Sequence, residues 1–439
     1  MSALKSAVIY MVANVASAAV PLLLLPLLTR VLTPGDYGQV IAFSLLVTLC
    51  QCVTGLNVHA ALGVIWFRQP RETLPDYTGA ALTIALVSTL IVALLVFLVF
   101  SAWPDLMAGI TPQWAALAAA TAGANVILQS RLVLWQSQGK AMQSASLQFL
   151  TSVTNVALSL LAVLGLGWGG DGRNFGFASA TVIMATVAIL AFLKAGEIRW
   201  APTRAKFRHL IGFGLPLVFH TFAGVLLSTA DRWTISIKLD SASLGIYGAG
   251  AQLGMTMAIL GDAFVKAFSP WLYAKLSEET PDSRHCAVGA IYAAMPMFFV
   301  MALGLWAALA IGSTLLLGPQ YRLAADYLPW FMLGGAFNGV YLCTSVLFFH
   351  NAKTRLLATV SFLSGLGAAA LTWLLISTFG VTGAATAYAC GQGVLALATT
   401  VVAMQTFNLP WFQPRRALMT WFNEVEFLRR LLPATGGKS

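Results

Sequence analysis

The chain has 439 residues, of which 59% are hydrophobic and only 9% charged, and its mean hydropathy is +0.81. A soluble domain carries about 25% charged residues, so this composition excludes an ordinary soluble protein. The formal net charge of +10 comes from cations scattered singly between apolar blocks, which argues against nucleic acid and favours anionic lipid headgroups as partners. The five cysteines lack the paired spacing of a zinc site, so we expect no metal and interpret them as small buried hydrophobic residues.

Twelve apolar runs each have the length of a membrane-spanning helix, which needs roughly 20 residues. In chain order they are Ala7–Leu28, Gly38–Trp66, Gly79–Ala102, Gln113–Leu134, Ser144–Leu166, Phe175–Leu193, Leu210–Ile237, Leu244–Leu272, Ala287–Leu317, Tyr327–Phe349, Leu356–Phe379 and Thr382–Phe407. Barrel strands are excluded because they need only about 9–11 residues and alternate in polarity. The sequence therefore predicts an all-α integral membrane protein with about 12 transmembrane helices.

The basic residues predict the orientation of these helices. With a cytoplasmic N-terminus, 19 of the 25 Lys and Arg residues fall on the cytoplasmic side, five fall outside, and Lys266 lies within a helix. This bias predicts that both termini are cytoplasmic. We divide the chain into an N-terminal lobe (1–195), a basic cytoplasmic linker (196–209), a C-terminal lobe (210–407) and a cytoplasmic amphipathic tail (408–439).

Short motifs recur in the two halves of the chain at a nearly constant separation. The pairs are Tyr37-Gly38 with Tyr247-Gly248, Gly139-Lys140 with Ala352-Lys353, and Gly176-Phe-Ala with Gly383-Ala-Ala. A six-helix repeat returns the chain to the same side of the membrane, so the repeats are expected to be parallel. Two such lobes facing a shared cavity are typical of alternating-access transporters.

Several stretches resemble the polysaccharide flippase family of the multidrug/oligosaccharidyl-lipid/polysaccharide exporter superfamily. They are Pro26–Gly38, Phe213–Leu217 with Ser228–Arg232, Leu244–Gly248, and Ala352–Arg355 with Phe379–Ala387. The resemblance implies a MATE-like two-lobed architecture in the bacterial inner membrane. It also implies transfer of an undecaprenyl-pyrophosphate-linked oligosaccharide to the outer leaflet, for O-antigen, capsule or exopolysaccharide synthesis. Membrane lipids, a polysaccharide polymerase and chain-length machinery are the expected partners. No cofactor is implied, and an ion gradient stays open as the energy source.

Buried cations are the candidate substrate contacts, because Arg and Lys pair well with phosphate. Asp262 and Lys266 share one face of a helix at i,i+4 spacing, and they either line the cavity or let Lys266 reach the inner interface. Asp231 and Arg232 form either a phosphate contact or a structural ion pair. Arg30, at the end of the first run, is either an interfacial anchor or a headgroup contact at the exit.

Two histidines, His220 and His59, lie within apolar runs. Either could couple transport to protons, although a satisfied core histidine is the simpler interpretation.

No HExxH, Walker A or paired-Cys motif indicates an enzyme. Two alternatives are weaker. A small-molecule antiporter of the multidrug branch is expected to carry a carboxylate in its first helix, and Ala7–Leu28 has none. A polysaccharide polymerase predicts a long outer loop, which the sequence lacks.

Overall fold

The computed structural model describes residues 20–107, 109–200 and 202–431, and these ranges contain helices and no strand. The helices are α1 (Val20–Val31), α2 (Pro34–Val53), α3 (Val58–Arg68), α4 (Leu74–Ala102), α5 (Pro112–Ser137), α6 (Ala141–Leu160), α7 (Gly169–Lys194), α8 (Arg204–Lys238), α9 (Ser241–Ser277), α10 (Pro281–Leu316), α11 (Leu328–His350), α12 (Thr354–Thr406) and α13 (Pro414–Leu431). Nine helical segments in these ranges are long and apolar enough to cross a membrane. The predicted all-α membrane fold is confirmed. The count of 12 stays a prediction, because α8 is not among the nine and the first run lies mostly outside the described residues.

The predicted run Gly38–Trp66 is wrong as a single helix, because the chain breaks between α2 and α3. Gly55, Leu56 and Asn57 have left-handed φ values of 72°, 47° and 54°. The Gly55 N–H donates to the Ser88 hydroxyl at 2.7 Å, which replaces a helical hydrogen bond. A Cβ atom on Gly214 of α8 would lie 1.8 Å from the Leu56 carbonyl oxygen, so α8 is in main-chain contact with the break. Tertiary contacts therefore hold a backbone conformation that Leu and Asn rarely adopt.

Two further boundaries differ from or refine the prediction. α7 begins at Gly169, six residues before the predicted start, because its glycines pack closely against neighbouring helices. A Cβ atom on Gly170 would lie 2.6 Å from the Asp36 carbonyl oxygen. In α12, Gly380 has a φ of 57° and marks the kink that separates the last two predicted runs.

The chain packs into two compact units. Unit 1 holds residues 1–252 and 313–324, and unit 2 holds residues 253–312 and 325–439. In unit 1, the buried side chains of Leu62, Leu82, Leu134 and Phe192 belong to one core that joins α3, α4, α5 and α7. In unit 2, a core of α9 to α13 residues includes the buried side chain of Phe348. The predicted lobes follow the sequence repeat rather than this packing, and they stay a prediction.

The turns before α6 and α12 have the same geometry. Gly139 and Ala352 each precede a lysine and adopt left-handed φ values of 72° and 54°. The N–H groups of Lys140 and Lys353 then donate to the carbonyl five residues earlier, at 2.8 Å and 2.9 Å. This pattern is a common helix C-cap. The same cap ends α7, where Gly196 has a φ of 65° and the Glu197 N–H donates to the Phe192 carbonyl at 3.0 Å, so the internal repeat stays a prediction.

Candidate functional site

At one end of unit 1, the first turns of α2 and α9 are in main-chain contact. By the predicted topology, this is the end away from the cytoplasm. A Cβ atom on Gly38 would lie 1.8 Å from the Ser241 carbonyl oxygen, and one on Gly245 would lie 2.0 Å from the Pro34 carbonyl oxygen. These glycines lie beside the repeated Tyr-Gly motifs. The sequence repeat therefore marks the place where the two halves of the chain meet within unit 1.

Residues 313–324 complete this end of unit 1, which we call the outer contact. The Tyr321 hydroxyl donates to the carbonyl oxygens of Leu32 and Thr33, at 3.1 Å and 2.8 Å. The Gly318 N–H donates to the Thr29 hydroxyl at 3.0 Å. The Tyr321 ring packs edge-on against Tyr37, with ring centroids 5.9 Å apart. The outer contact therefore joins segments that are far apart in the sequence.

Arg30 lies at the outer contact and binds main-chain oxygens. Its guanidinium donates to the Pro26 carbonyl at 2.9 Å and to the Leu315 carbonyl at 2.6 Å. The Leu315 carbonyl belongs to the last turn of α10, where the helix dipole favours a cation, and the Pro26 carbonyl lies one turn before Arg30 in α1. This geometry supports the anchor interpretation. A headgroup contact stays a prediction, because the side chain is also exposed.

Asp231 is buried at the outer contact, with 8% of its surface exposed. Its two oxygens accept hydrogen bonds from the Tyr247 hydroxyl at 2.6 Å and from the Arg232 N–H at 2.8 Å. Asp231 therefore connects α8 to the Tyr-Gly motif of α9. A phosphate contact by Arg232 stays a prediction.

Arg173 is one of the five cations that the sequence analysis places outside the apolar runs. The structure places it in the second turn of α7, where it donates to Asn155 at 2.8 Å and to Ser159 at 2.9 Å. Its guanidinium lies 5.8 Å from the Phe177 ring centroid. The glycines between positions 169 and 172 are typical of a loop, so the predicted helix began only at Phe175. The signal that could have corrected it is the small-residue spacing from Gly172 to Gly176, which is typical of close helix packing.

Asp262 and Lys266 lie in unit 2 and form an ion pair of 2.6 Å. Their side chains are 58% and 64% exposed. On the same helix, Phe264 packs edge-on against Phe298 of α10 at 5.3 Å. At 100° per residue, Lys266 lies on the opposite side of α9 from Phe264. The pair therefore points away from the core of unit 2, as both the cavity-lining and the snorkelling interpretations require.

The two histidine predictions have different outcomes. The side chain of His220 lies outside the described residues. The Nδ1 atom of His59 is buried and has no hydrogen-bond partner among the residues that the structure describes. Proton coupling at either residue stays a prediction. In the described ranges, no group of three or more His, Cys, Asp and Glu side chains could hold a metal ion.

Ion pairs hold the predicted linker, residues 196–209, against helices of unit 1. Arg131 of α5 is 2% exposed and forms an ion pair with Glu197, which follows α7. The Arg131 guanidinium lies 4.3 Å from the Trp135 ring centroid and 4.5 Å from that of Phe192. Arg199 then pairs with Asp76 of α4 at 2.9 Å. The first residues of the linker are therefore held against α4 and α5.

Comparison with known proteins identifies relatives over most of the chain. The family described as "Polysaccharide biosynthesis protein" matches residues 3–275. The Haemophilus influenzae protein named "Lsg locus putative protein 1" is 25% identical over 375 residues, which cover 83% of this chain and 89% of that protein.

Two solved structures share the fold. The first is the lipid II flippase MurJ in an inward closed conformation, with a TM-score of 0.71 and 14% identity, covering 98% of this chain and 94% of that one. The second is an inward-facing multidrug resistance MATE family transporter of the MOP superfamily, with a TM-score of 0.69 and 12% identity, covering 88% and 94%. At these identities the similarity concerns the fold alone.

Proposed function

Since the chain belongs to the polysaccharide biosynthesis protein family, we propose that it is a flippase for an undecaprenyl-pyrophosphate-linked oligosaccharide repeat unit. The family match confirms the resemblance to polysaccharide biosynthesis proteins, and the fold shared with a lipid flippase and a MATE family transporter supports a transport function rather than an enzymatic one. The product would serve O-antigen, capsule or exopolysaccharide synthesis at the bacterial inner membrane, with both termini in the cytoplasm.

The mechanism we propose is alternating access, with the pyrophosphate headgroup passing through a cationic cavity between the two lobes. The observation that carries it is the exposed Asp262–Lys266 pair on an apolar helix. A charged side chain at the centre of a bilayer costs about 2.5–3.5 kcal/mol on insertion scales. A water-filled path removes the cost of burying the charge in lipid, so charged residues on a membrane-spanning helix are expected to face such a path. The lipid tail can remain in the bilayer while Lys266 neutralises phosphate charge.

We propose that the outer contact of unit 1 is the exit gate of this path. Arg30 and Arg232 lie there, and phosphate would meet both cations when the contact opens. The outer contact consists of hydrogen bonds and main-chain packing between the beginnings of α2 and α9 and residues 313–324. Such contacts can separate without exposing a large apolar core.

The alternative function is an ion-coupled antiporter for small molecules, which the MATE-like fold also allows. The described part of α1, Val20–Val31, contains no carboxylate. This favours the flippase, because the antiporter interpretation expects a carboxylate deep in the first helix.

The test is complementation of a strain that lacks the gene, with surface polysaccharide measured alongside the amount of protein in the membrane. We expect Lys266→Gln and Arg232→Gln to lower surface polysaccharide at normal protein levels. Arg355→Gln is the matched control, because Arg355 is an exposed cation at the start of α12. Normal polymer from both variants would remove Lys266 and Arg232 from the mechanism. Lost drug resistance with normal polymer in the deletion strain would favour the antiporter.

A further inference from the structure

Helix α13 is fixed along one side to α9 and α10 in unit 2. Ala417 is fully buried, and a Cβ atom on Gly289 of α10 would lie 2.1 Å from its carbonyl oxygen. Glu424 pairs with Lys275 of α9 at 2.7 Å. The Tyr292 hydroxyl donates to the carbonyl oxygen just before α13, at position 411, over 2.5 Å. The helix is therefore a docked element rather than a free tail.

By the predicted topology, the docking position places α13 at the inner boundary of the membrane. Gly289 lies eight residues after the start of α10 at Pro281, about 12 Å along the helix axis. The apolar run of α10 begins at Ala287 in the sequence, so Gly289 is level with the beginning of the hydrocarbon core. α10 has 36 residues and is about 54 Å long, so it extends beyond a core of about 30 Å.

The side of α13 that faces away from α10 combines apolar and basic residues. Arg415, Met419 and Phe422 follow one another at i, i+4 and i+7, which puts them on one side of the helix. Ala417 lies two residues after Arg415, so the docked side is opposite. Met419 and Phe422 are 61% and 58% exposed.

Two neighbours extend this surface, which we call the α13 outer face. Phe412, just before the helix, is 90% exposed. Arg416 lies 3.7 Å from Asp282, and their side chains are 61% and 79% exposed, so the pair is loose. Such a surface of large apolar residues beside arginines is typical of helices that lie in a membrane interface.

We propose that the α13 outer face binds anionic lipid headgroups of the inner leaflet, with Phe412, Met419 and Phe422 in the acyl boundary and Arg415 and Arg416 against phosphate. The positive charge of the α13 outer face and its predicted depth in the membrane both favour anionic lipid headgroups as its partner. The helix lies at the headgroup level, and the exposed cations match the negative potential of that leaflet. This inference is independent of the transported substrate, so it can hold or fail whatever the outcome of the flippase test.

The first experiment measures lipid affinity of the full chain in neutral detergent by titration with phosphatidylglycerol and, separately, phosphatidylcholine. Each basic residue near an anionic surface changes affinity about fivefold, so Arg415→Gln/Arg416→Gln should weaken phosphatidylglycerol binding by roughly 30-fold. Arg204→Gln/Arg355→Gln is the control, because it removes two exposed cations at the starts of α8 and α12. Equal losses in both double variants, no loss in the first, or equal affinity for the two lipids would overturn the proposal.

The second experiment measures the depth of the α13 outer face in bilayer discs. Among the five cysteines only Cys390 is exposed, so a Cys390→Ser background allows a fluorophore to be attached through Phe412→Cys. We expect nitroxide-labelled lipid to quench this fluorophore, and to quench it more in discs that contain phosphatidylglycerol. A label at Thr354→Cys, at the exposed first residue of α12, should respond to a water-soluble quencher instead. Quenching of the position 412 label by the water-soluble agent alone would mean that this face meets the cytosol, where an acidic protein is its partner.

Discussion

Replacement of Gly38 by alanine should weaken the outer contact, because the first turns of α2 and α9 leave no space for a methyl group. The new Cβ would lie 1.8 Å from the Ser241 carbonyl oxygen, whereas real Cβ atoms stay beyond about 3.0 Å from such atoms. The two helix ends must therefore move apart by at least the difference between these two distances. Overpacking of this kind costs about 1–3 kcal/mol.

A competing effect is the higher helix propensity of alanine, worth up to about 1 kcal/mol. Gly35 provides a matched control in the same turn, because its Cβ would meet only the Thr33 hydroxyl at 3.8 Å. Gly35→Ala should therefore show the propensity gain alone. The difference in free energy of unfolding between Gly38→Ala and Gly35→Ala isolates the cost of the close approach.

The assay is reversible denaturant unfolding of both variants in the same detergent. Gly245→Ala tests the reciprocal contact, because its Cβ would lie 2.0 Å from the Pro34 carbonyl oxygen. One separation relieves both clashes, so Gly38→Ala/Gly245→Ala should cost less than the sum of the single variants. The reasoning is refuted if Gly38→Ala is as stable as Gly35→Ala.

Two other predictions concern buried polar contacts. Tyr247→Phe removes the hydroxyl that donates to buried Asp231, so we expect a loss of about 1–3 kcal/mol in the free energy of unfolding. Tyr341→Phe, which removes a long 3.4 Å contact with Ser361, should have little effect, and equal losses would contradict the assigned role. Arg131→Gln should cost about 3–5 kcal/mol in the same measurement, because it leaves Glu197 without its ion-pair partner. Adding Glu197→Gln should restore part of that loss, and strictly additive losses would argue against coupling.

The helices could be predicted because a membrane requires each spanning segment to satisfy its own backbone hydrogen bonds. Long apolar runs therefore correspond to α4, α5 and α10 with modest differences at their ends. The break at Gly55 was missed for a physical reason. Leu56 does not favour left-handed φ, and the contacts with Ser88 and α8 that accompany this conformation join residues far apart in the sequence.

The candidate site was predicted in part. The spacing of Asp262 and Lys266 indicated an ion pair, which the structure contains. The contact of Arg30 with the Leu315 carbonyl could not be predicted, because it joins residues that are 285 positions apart and involves a main-chain oxygen. Cys390 was also predicted to be buried, but it is exposed. Helical periodicity in an apolar run does not distinguish a side that faces protein from one that faces lipid.

The fastening of the linker limits how far any rocking motion can carry the beginning of α8. Arg199 is bound to Asp76, and its N–H donates to the Pro75 carbonyl at 2.9 Å. Only five peptide units separate Arg199 from Arg204, the first residue of α8. A fully extended chain of that length spans at most roughly 18 Å. The connector thus acts as a short tether, which keeps the first residue of α8 within that distance of Arg199 while Arg199 stays bound to α4.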